Sequence, residues 1–402
     1  MHSEYPGAPY AGVVLARLSN APRDYAWGST SLIAALEGRA PTGAPEAEVW
    51  FGDHPGSPAR VEDGSGLTLD AWLAERATAS GAPDRLPYLL KLLAAGSPLS
   101  IQVHPSQEEA REGSMREDAA GVPVDAPERN YKDRNHKPEV IVAVSERFEA
   151  LAGLRELAAT RRLLAALGDE PGLRALRASL EGDDEPAALR RTITWLLSGD
   201  SRDTVAAVIT ALAAAQSAEF GPEFDAARRI AAAYPGDPGV VVALLMNHVV
   251  LARGEALFVP AGVLHAYLSG LGVEVMAASD NVLRGGLTPK HIDVPELMAI
   301  VDATPGPPPF LAPRAEGDGV ETFVPGIPDF ALWHVSVSAG AERRIPLTGP
   351  AIPLAVAGEV TVVGGSGAAV TLRPGQAAFA TPDERELVVT GDGELFIAHP
   401  GR

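Results

Sequence analysis

Apolar and polar positions along the chain fall into three textures. From about residue 10 to 153, and again from about 239 to 303, short apolar runs alternate with Gly and Pro turns, the pattern of β-strands in an antiparallel sandwich or barrel. Between these regions, residues 154–234 carry helical spacing in an Ala-, Leu- and Arg-rich background. Leu163-Leu164-Ala165-Ala166-Leu167 and the stretch from Thr204 to Gln216 are examples. Residues 304–313 are proline-rich and read as a linker. Beyond them, residues 323–400 return to short strands, with turns at Ala357-Gly358, Pro374-Gly375 and Gly391 to Gly393. Residues 105–130 are polar and acid-rich, which predicts a solvated loop with one short helix. The predicted fold class is mainly β with an α-helical insertion. Its units are 1–153 with 236–303, then 154–235, then 304–402.

Composition narrows the function. At 402 residues the chain is too long for one ordinary core, and 46% hydrophobic with 21% charged residues is a globular balance. A net charge of −19 argues against binding nucleic acid or an anionic membrane, and an anionic substrate then needs a local positive pocket. The absence of cysteine removes disulfides, thiolate metal sites and cysteine nucleophiles, so any metal is held by His, carboxylate, amide or water. Residues Met1 to Tyr10 lack the basic and apolar runs of a signal peptide. The longest apolar stretch, 239–246 continuing to 249–251, is interrupted by Asn247 and His248 and is too short to span a bilayer. A soluble, cytoplasmic protein is expected. Lysine occurs only as Lys91, Lys132, Lys137 and Lys290.

Candidate chemistry gathers in four segments. In Leu99-Ser100-Ile101-Gln102-Val103-His104-Pro105, period-two geometry puts Ser100, Gln102 and His104 on one face and the apolar residues on the other. In Asn135-His136-Lys137-Pro138-Glu139, Lys137 and Glu139 share a face at the start of a strand. From Gly254 to Ser269, the spacing of Gly254, Pro260, Gly262 and His265 resembles the second signature motif of the cupin superfamily, with Ser269 at a position usually occupied by Asn. From Glu274 to Lys290 the pattern is a strand, a polar turn holding Asp280 and Arg284, and a helix start at Thr288-Pro289. Gln102, His104, Glu139 and His265 together offer two imidazoles, one carboxylate and one amide. That set suits zinc or another divalent first-row metal and leaves residual positive charge for Lewis-acid work.

Taken in order, these segments resemble the type I mannose-6-phosphate isomerase family. Tyr25-Ala26-Trp27-Gly28-Ser29, Glu48-Val49-Trp50-Phe51-Gly52-Asp53-His54-Pro55, Leu86-Pro87-Tyr88-Leu89-Leu90-Lys91 and Phe148-Glu149-Ala150-Leu151-Ala152-Gly153 extend the resemblance. It covers about residues 17–293 and fades after Thr304. The resemblance implies a central cupin or jelly-roll domain carrying the site, a helical domain, and a second, C-terminal cupin-like jelly roll. It further implies one zinc ion per chain on Gln102, His104, Glu139 and His265, and a catalytic Arg284. The implied reaction interconverts D-mannose 6-phosphate and D-fructose 6-phosphate through a cis-enediol, in carbohydrate metabolism and on the way to GDP-mannose. Lys137 is the candidate for phosphate contact or proton handling, with Asp280 and His136 as competing proton carriers. Trp27 and Ser100 are expected to line the sugar pocket. The family often has an aromatic where His291 stands, so no role is expected of it. The last β region, with only His334 and His399, is expected to hold no metal. The implied partner is a small phosphosugar, and the expected state is a monomer. The alternatives are an isomerase of a different phosphosugar, and a non-catalytic sugar-binding cupin.

Overall fold

The computed structural model describes residues 14–401, so the segment read for a leader, Met1 to Tyr10, lies outside it. The described chain builds two antiparallel sheets and a block of helices, the expected mainly β fold with a helical insertion. Strand His265–Ala277 organises the central sheet. Its first residues pair with Gln102–Val103 and Phe148–Leu154, and its later ones with Tyr88–Ala95 and Glu139–Ala143. It passes from one layer to the other at Gly270, where φ is +117° and a Cβ would run into Phe148 and the Arg147 carbonyl. Leu283–Arg284 and Met246–Leu251 complete the first layer, and Glu48–Phe51 and Ala256–Val259 the second. The result is a sandwich sharing one strand, and among the described residues the pairing does not close into a barrel.

Both layers are covered outside, which is why their strands read apolar on both faces. Ile101, Val103, Leu151, Leu264 and Leu268 face the helices and share one core with them. Leu90, Leu92, Val140, Val142, Val273 and Val275 face the C-terminal sheet and join a core with Phe330, Leu354, Phe379 and Phe396. The alternate residues Leu93, Ala95, Ile141, Ala150, Val249 and Leu251 turn inward and fill one end of the sandwich with apolar side chains. The other end of that interior is polar.

The helical block runs through Leu157–Ala166, Pro171–Ser179, Glu185–Leu197, Arg202–Ala214 and Gly221–Ala233. Four local expectations are corrected. Residues 239–245, in a region read as strands, form helix Gly239–Leu245. This valine-rich run is buried all round, and the Asp237 carboxylate accepts from the Gly239 N–H at 2.7 Å, so tertiary packing overrides β propensity. Helix Leu69–Ser80 also lies in a region read as strands. The acid-rich segment holds a 13-residue helix, Gln107–Ala119, longer than expected and fixed by a capping box of Ser106 and Glu109. The helix expected from Thr288-Pro289 begins at Val294, where Asp293 caps it. The proline-rich connection is tied down rather than loose, since Gly306 donates to Leu154 and Leu311 to Ala256.

The C-terminal sheet contains Ala331–Val337, Glu386–His399, Ile352–Gly364 and Ala377–Ala380 in that order. The first strand of the described chain, Leu15–Ser19, adds beside Ala377–Ala380. No helix among the described residues is long and apolar enough to cross a membrane.

Candidate metal centre

Strand register assembles the polar end of the sandwich. Gln102 stands opposite His265 on one side and opposite Arg284 on the other. Residues directly opposed across an antiparallel pair point to the same face, so these three side chains face inward while Ile101 and Val103 face the helices. Glu139 enters from the facing layer, and His104 follows the short strand Gln102–Val103.

The histidine tautomers decide what the cluster holds. His104 is fully buried, and its Nδ1 lies 2.7 Å from the Asn281 carbonyl. A carbonyl only accepts, so Nδ1 carries the hydrogen and Nε2 keeps a lone pair. That Nε2 is buried without a hydrogen-bond partner, 3.2 Å from Glu139 Oε1. His265 repeats the arrangement, with Nδ1 3.1 Å from the Val263 carbonyl and Nε2 3.5 Å from Glu139 Oε2. Lone pairs facing a carboxylate repel it unless a proton or cation lies between. Burial and the Lys137 ammonium push the His104 imidazole down to about 4, against the pull of Glu139, so a proton is not the answer at neutral pH. Burial pushes the Glu139 carboxyl up, but Lys137, 3.0 Å away, and the imidazoles hold it well below the usual range. The donor atoms of His104, Glu139 and His265 lie within 4.8 Å of one another. Gln102 Nε2 donates to Ser100 Oγ at 3.2 Å, leaving the amide oxygen as a fourth donor. Two neutral imidazoles, one ionised carboxylate and an amide oxygen fit a divalent metal. Asn281 backs the site. Its side-chain oxygen accepts from the Lys132 N–H at 2.7 Å and its amide donates to the Asn135 carbonyl at 2.8 Å, so the carbonyl that orients His104 is itself fixed.

Around the cluster lies a cavity of about 60 Å³, room for an ion and a few waters. Its wall includes buried charges that sequence reasoning passed over. Lys91 sits between Glu48 at 3.3 Å and Glu274 at 3.2 Å and lies 5.0 Å over the Trp50 ring. Burial, with Glu139 and Glu48 nearby, pushes the Glu274 carboxyl up to about 7 despite Lys91. The Tyr267 hydroxyl is 3.5 Å from Glu139 Oε2. The missed signal was a lone charge inside an otherwise apolar strand, Lys91 in Tyr88–Ala95 and Glu274 in His265–Ala277.

Beside Arg284 opens a second cleft of about 390 Å³, lined by Lys132, Arg284, Lys290, His291 and Asp280 among others. Burial, and then Arg284 and Lys132, lower the Lys290 ammonium, so these cations crowd one another. Among the described residues none of the three forms an ion pair. Asp280 hydrogen-bonds His54 at 3.1 Å. His136 bonds Asp329 at 2.9 Å, and Lys137 stays on Glu139. Trp27 packs against the apolar end of the sandwich and stacks on Tyr25 at 5.7 Å. The structure thus brings Ser100, Gln102, Lys137, Glu139 and His265 around one cavity, with His104 buried against Glu139. It sets Arg284 and Asp280 at the adjoining cleft, and Trp27 against the apolar cluster whose Leu93, Leu99 and Tyr267 border the cavity.

Residues 15–157 match the family model of the phosphomannose isomerase type I catalytic domain. Over 393 residues the chain is 37% identical to the mannose-6-phosphate isomerase of Escherichia coli, spanning 94% of this chain and 98% of that one. The chain belongs to the type I phosphomannose isomerase family. The family resemblance reaches the mannose-6-phosphate isomerase of Bos taurus, at 32% identity with 95% of this chain and 97% of that one covered. Solved phosphomannose isomerases share the whole architecture. A zinc-bound mannose 6-phosphate isomerase superposes with a TM-score of 0.85 at 35% identity, covering 96% of this chain and 100% of that one. The apo form from Salmonella typhimurium gives the same TM-score and identity, covering 96% and 99%.

Proposed function

We propose that this chain is a zinc-dependent mannose-6-phosphate isomerase, with the metal on Gln102, His104, Glu139 and His265. The observation that carries the reading is the pair of buried imidazoles whose Nδ1 atoms serve backbone carbonyls while their Nε2 atoms face one ionised carboxylate. Bound there, zinc supplies Lewis-acid stabilisation of negative charge on the substrate oxygens. The open-chain aldose loses its C2 proton to a base, and that electron pair forms the C1–C2 double bond of a cis-enediolate as the carbonyl pair moves onto O1. A proton passes from O2 to O1, and collapse of the O2 oxyanion to the C2 carbonyl with protonation at C1 yields the ketose. Arg284, in register beside Gln102, is the donor we assign to the enediolate oxygens.

The phosphate needs positive charge that a chain of net −19 does not offer globally. Lys132 and Lys290, which stand beside Arg284 and form no ion pair among the described residues, support placing it in the adjoining cleft. Lys137, buried against Glu139, is then left with charge and proton handling rather than the phosphate. Asp280 and His136 remain the other proton carriers, and Ser100 and Trp27 the sugar contacts. We carry with this reading a site-bearing unit of 1–153 and 236–303, a helical unit of 154–235 and a β unit of 304–402, to which Leu15–Ser19 lends a strand. A monomeric, cytoplasmic state belongs to the same proposal.

The test is conversion of mannose 6-phosphate in heavy water by zinc-loaded and chelator-stripped protein. The expected outcome is turnover only when loaded, with solvent deuterium at C1 of the fructose 6-phosphate. Complete retention of the substrate hydrogen across pH and temperature would mean hydride shift and remove Lys137, Asp280 and His136 as carriers. Turnover of another phosphosugar alone, or binding without turnover, would replace the reading by one of its two alternatives.

A further inference from the structure

We infer that the C-terminal β unit takes part in catalysis through Asp329, a positioning residue that orients the His136 imidazole. The inference rests on the proposed role of His136 as a proton carrier. His136 Nε2 lies 2.9 Å from Asp329 Oδ2, across 193 residues of sequence. An ionised carboxylate only accepts, so Nε2 carries the hydrogen and Nδ1 of the neutral ring is left with the lone pair. A carboxylate held behind one ring nitrogen fixes the hydrogen there and leaves the other nitrogen as the base, as in a catalytic triad but with the roles of Nδ1 and Nε2 exchanged. The contact is sheltered, with side-chain exposures of 21% and 11%. Among the described residues Asp329 forms no ion pair with arginine or lysine, so its charge is directed at His136.

Both sides of the contact are anchored. Pro328, before Asp329, accepts from the Gly401 N–H at 3.1 Å. Phe330, after it, is fully buried in the core that also contains Val140 and Val142, and these lie on the strand that begins at Glu139. On the other side, the Asn281 amide holds the Asn135 carbonyl, and Lys137 is fixed to Glu139. The main chain on either side of His136 is therefore set by the central sandwich, and the remaining freedom, rotation of the ring, is removed by a residue of the loop before strand Ala331–Val337 of the other sheet. The apolar seam between the two β units keeps Asp329 and Glu139 in register.

Four measurements test this. Asp329→Ala should lower kcat for mannose 6-phosphate about a hundredfold, the ordinary loss for general acid–base catalysis, with KM, zinc content and Tm unchanged. Asp329→Asn, whose amide oxygen still accepts from Nε2–H, should recover part of it. In a His136→Ala background, Asp329→Ala should cost nothing further. Nitrogen-15 spectra of histidine-labelled protein should show His136 as the Nε2–H tautomer, and a mixture in Asp329→Ala. An unchanged imidazole signal in that variant overturns the positioning, as does a loss of kcat that appears only with loss of zinc or Tm. A fully active His136→Ala overturns the catalytic claim through the proton-carrier reading, and the imidazole signal separates that failure from a failure of the contact itself.

Discussion

His104 shows how much a single side chain's tautomer decides. Its ring is buried, its Nδ1 is committed to the Asn281 carbonyl, and its Nε2 faces Glu139 with nothing to donate. A structural core histidine would satisfy both nitrogens; this one is complete only with a cation in front of it. Purified protein should therefore contain about one zinc per chain, and changing both His104 and His265 to Ala should abolish it. Full metal retention in the double variant, read by elemental analysis, would place the site elsewhere. Arg284 is the second residue whose chemistry is separable. Arg284→Lys keeps the charge but loses the planar fork, so kcat should fall far more than KM changes. Loss of one such donor costs roughly 2.7–4 kcal/mol, a hundred- to thousandfold in rate. An unchanged kcat would return Arg284 to a packing role.

At the scale of elements, charge also ties the helical block to the sandwich. Glu149, on strand Phe148–Leu154, meets Arg229 of helix Gly221–Ala233, Arg147 at 2.8 Å and His248 at 3.8 Å. His248, then Arg147 and Arg229, outweigh burial and bring the Glu149 carboxyl from 4.5 to about 2. A carboxyl lowered on folding contributes stability that is present above its unfolded value and is lost as pH falls through its folded one. With both arginines largely exposed, we expect Glu149→Gln to cost about 1–2 kcal/mol at neutral pH. The gap from wild type should close as pH falls from about 4.5 to about 2, the interval between the two values. A gap that persists at the acid end, measured by denaturant unfolding, would show that the loss is packing and not charge.

For the whole molecule, the central sandwich is stable as built only because both outer faces are covered. Strand Tyr88–Ala95 buries every residue, with Lys91 on the inner face and Leu90 and Leu92 against the C-terminal sheet. At its start the buried Tyr88 hydroxyl reaches across that seam to the carbonyls of Pro350 at 3.0 Å and Ala398 at 3.1 Å. Tyr88→Phe leaves those carbonyls without their donor and should cost about 1–3 kcal/mol. We expect one cooperative unfolding transition, lowered in Tm. A second transition appearing in the variant alone would mean that this hydroxyl, and not the apolar seam, holds the two β units together.

The identity of the chemistry was readable in the chain because it is local. Gln102 with His104, the run from His136 to Glu139, and His265 in its glycine- and proline-spaced turn are short-range patterns, although strand geometry itself is confined to Gln102–Val103 and to the strand that starts at Glu139. The mainly β texture and the helical insertion were readable for the same reason: periodicity is a property of neighbours in sequence. Tertiary structure alone decided that the valine run at 239–245 is a helix, because its burial on all sides outweighs propensity. It also decided the contacts between segments far apart in sequence. Lys91 and Glu274 become one buried ion pair when strand register brings them opposite each other. Lys132 joins Lys290 in one cleft, and Asp329 reaches His136, by the packing of elements from different parts of the chain. No local pattern encodes such pairs, since the free energy that selects them comes from burying both faces of the central sandwich at once.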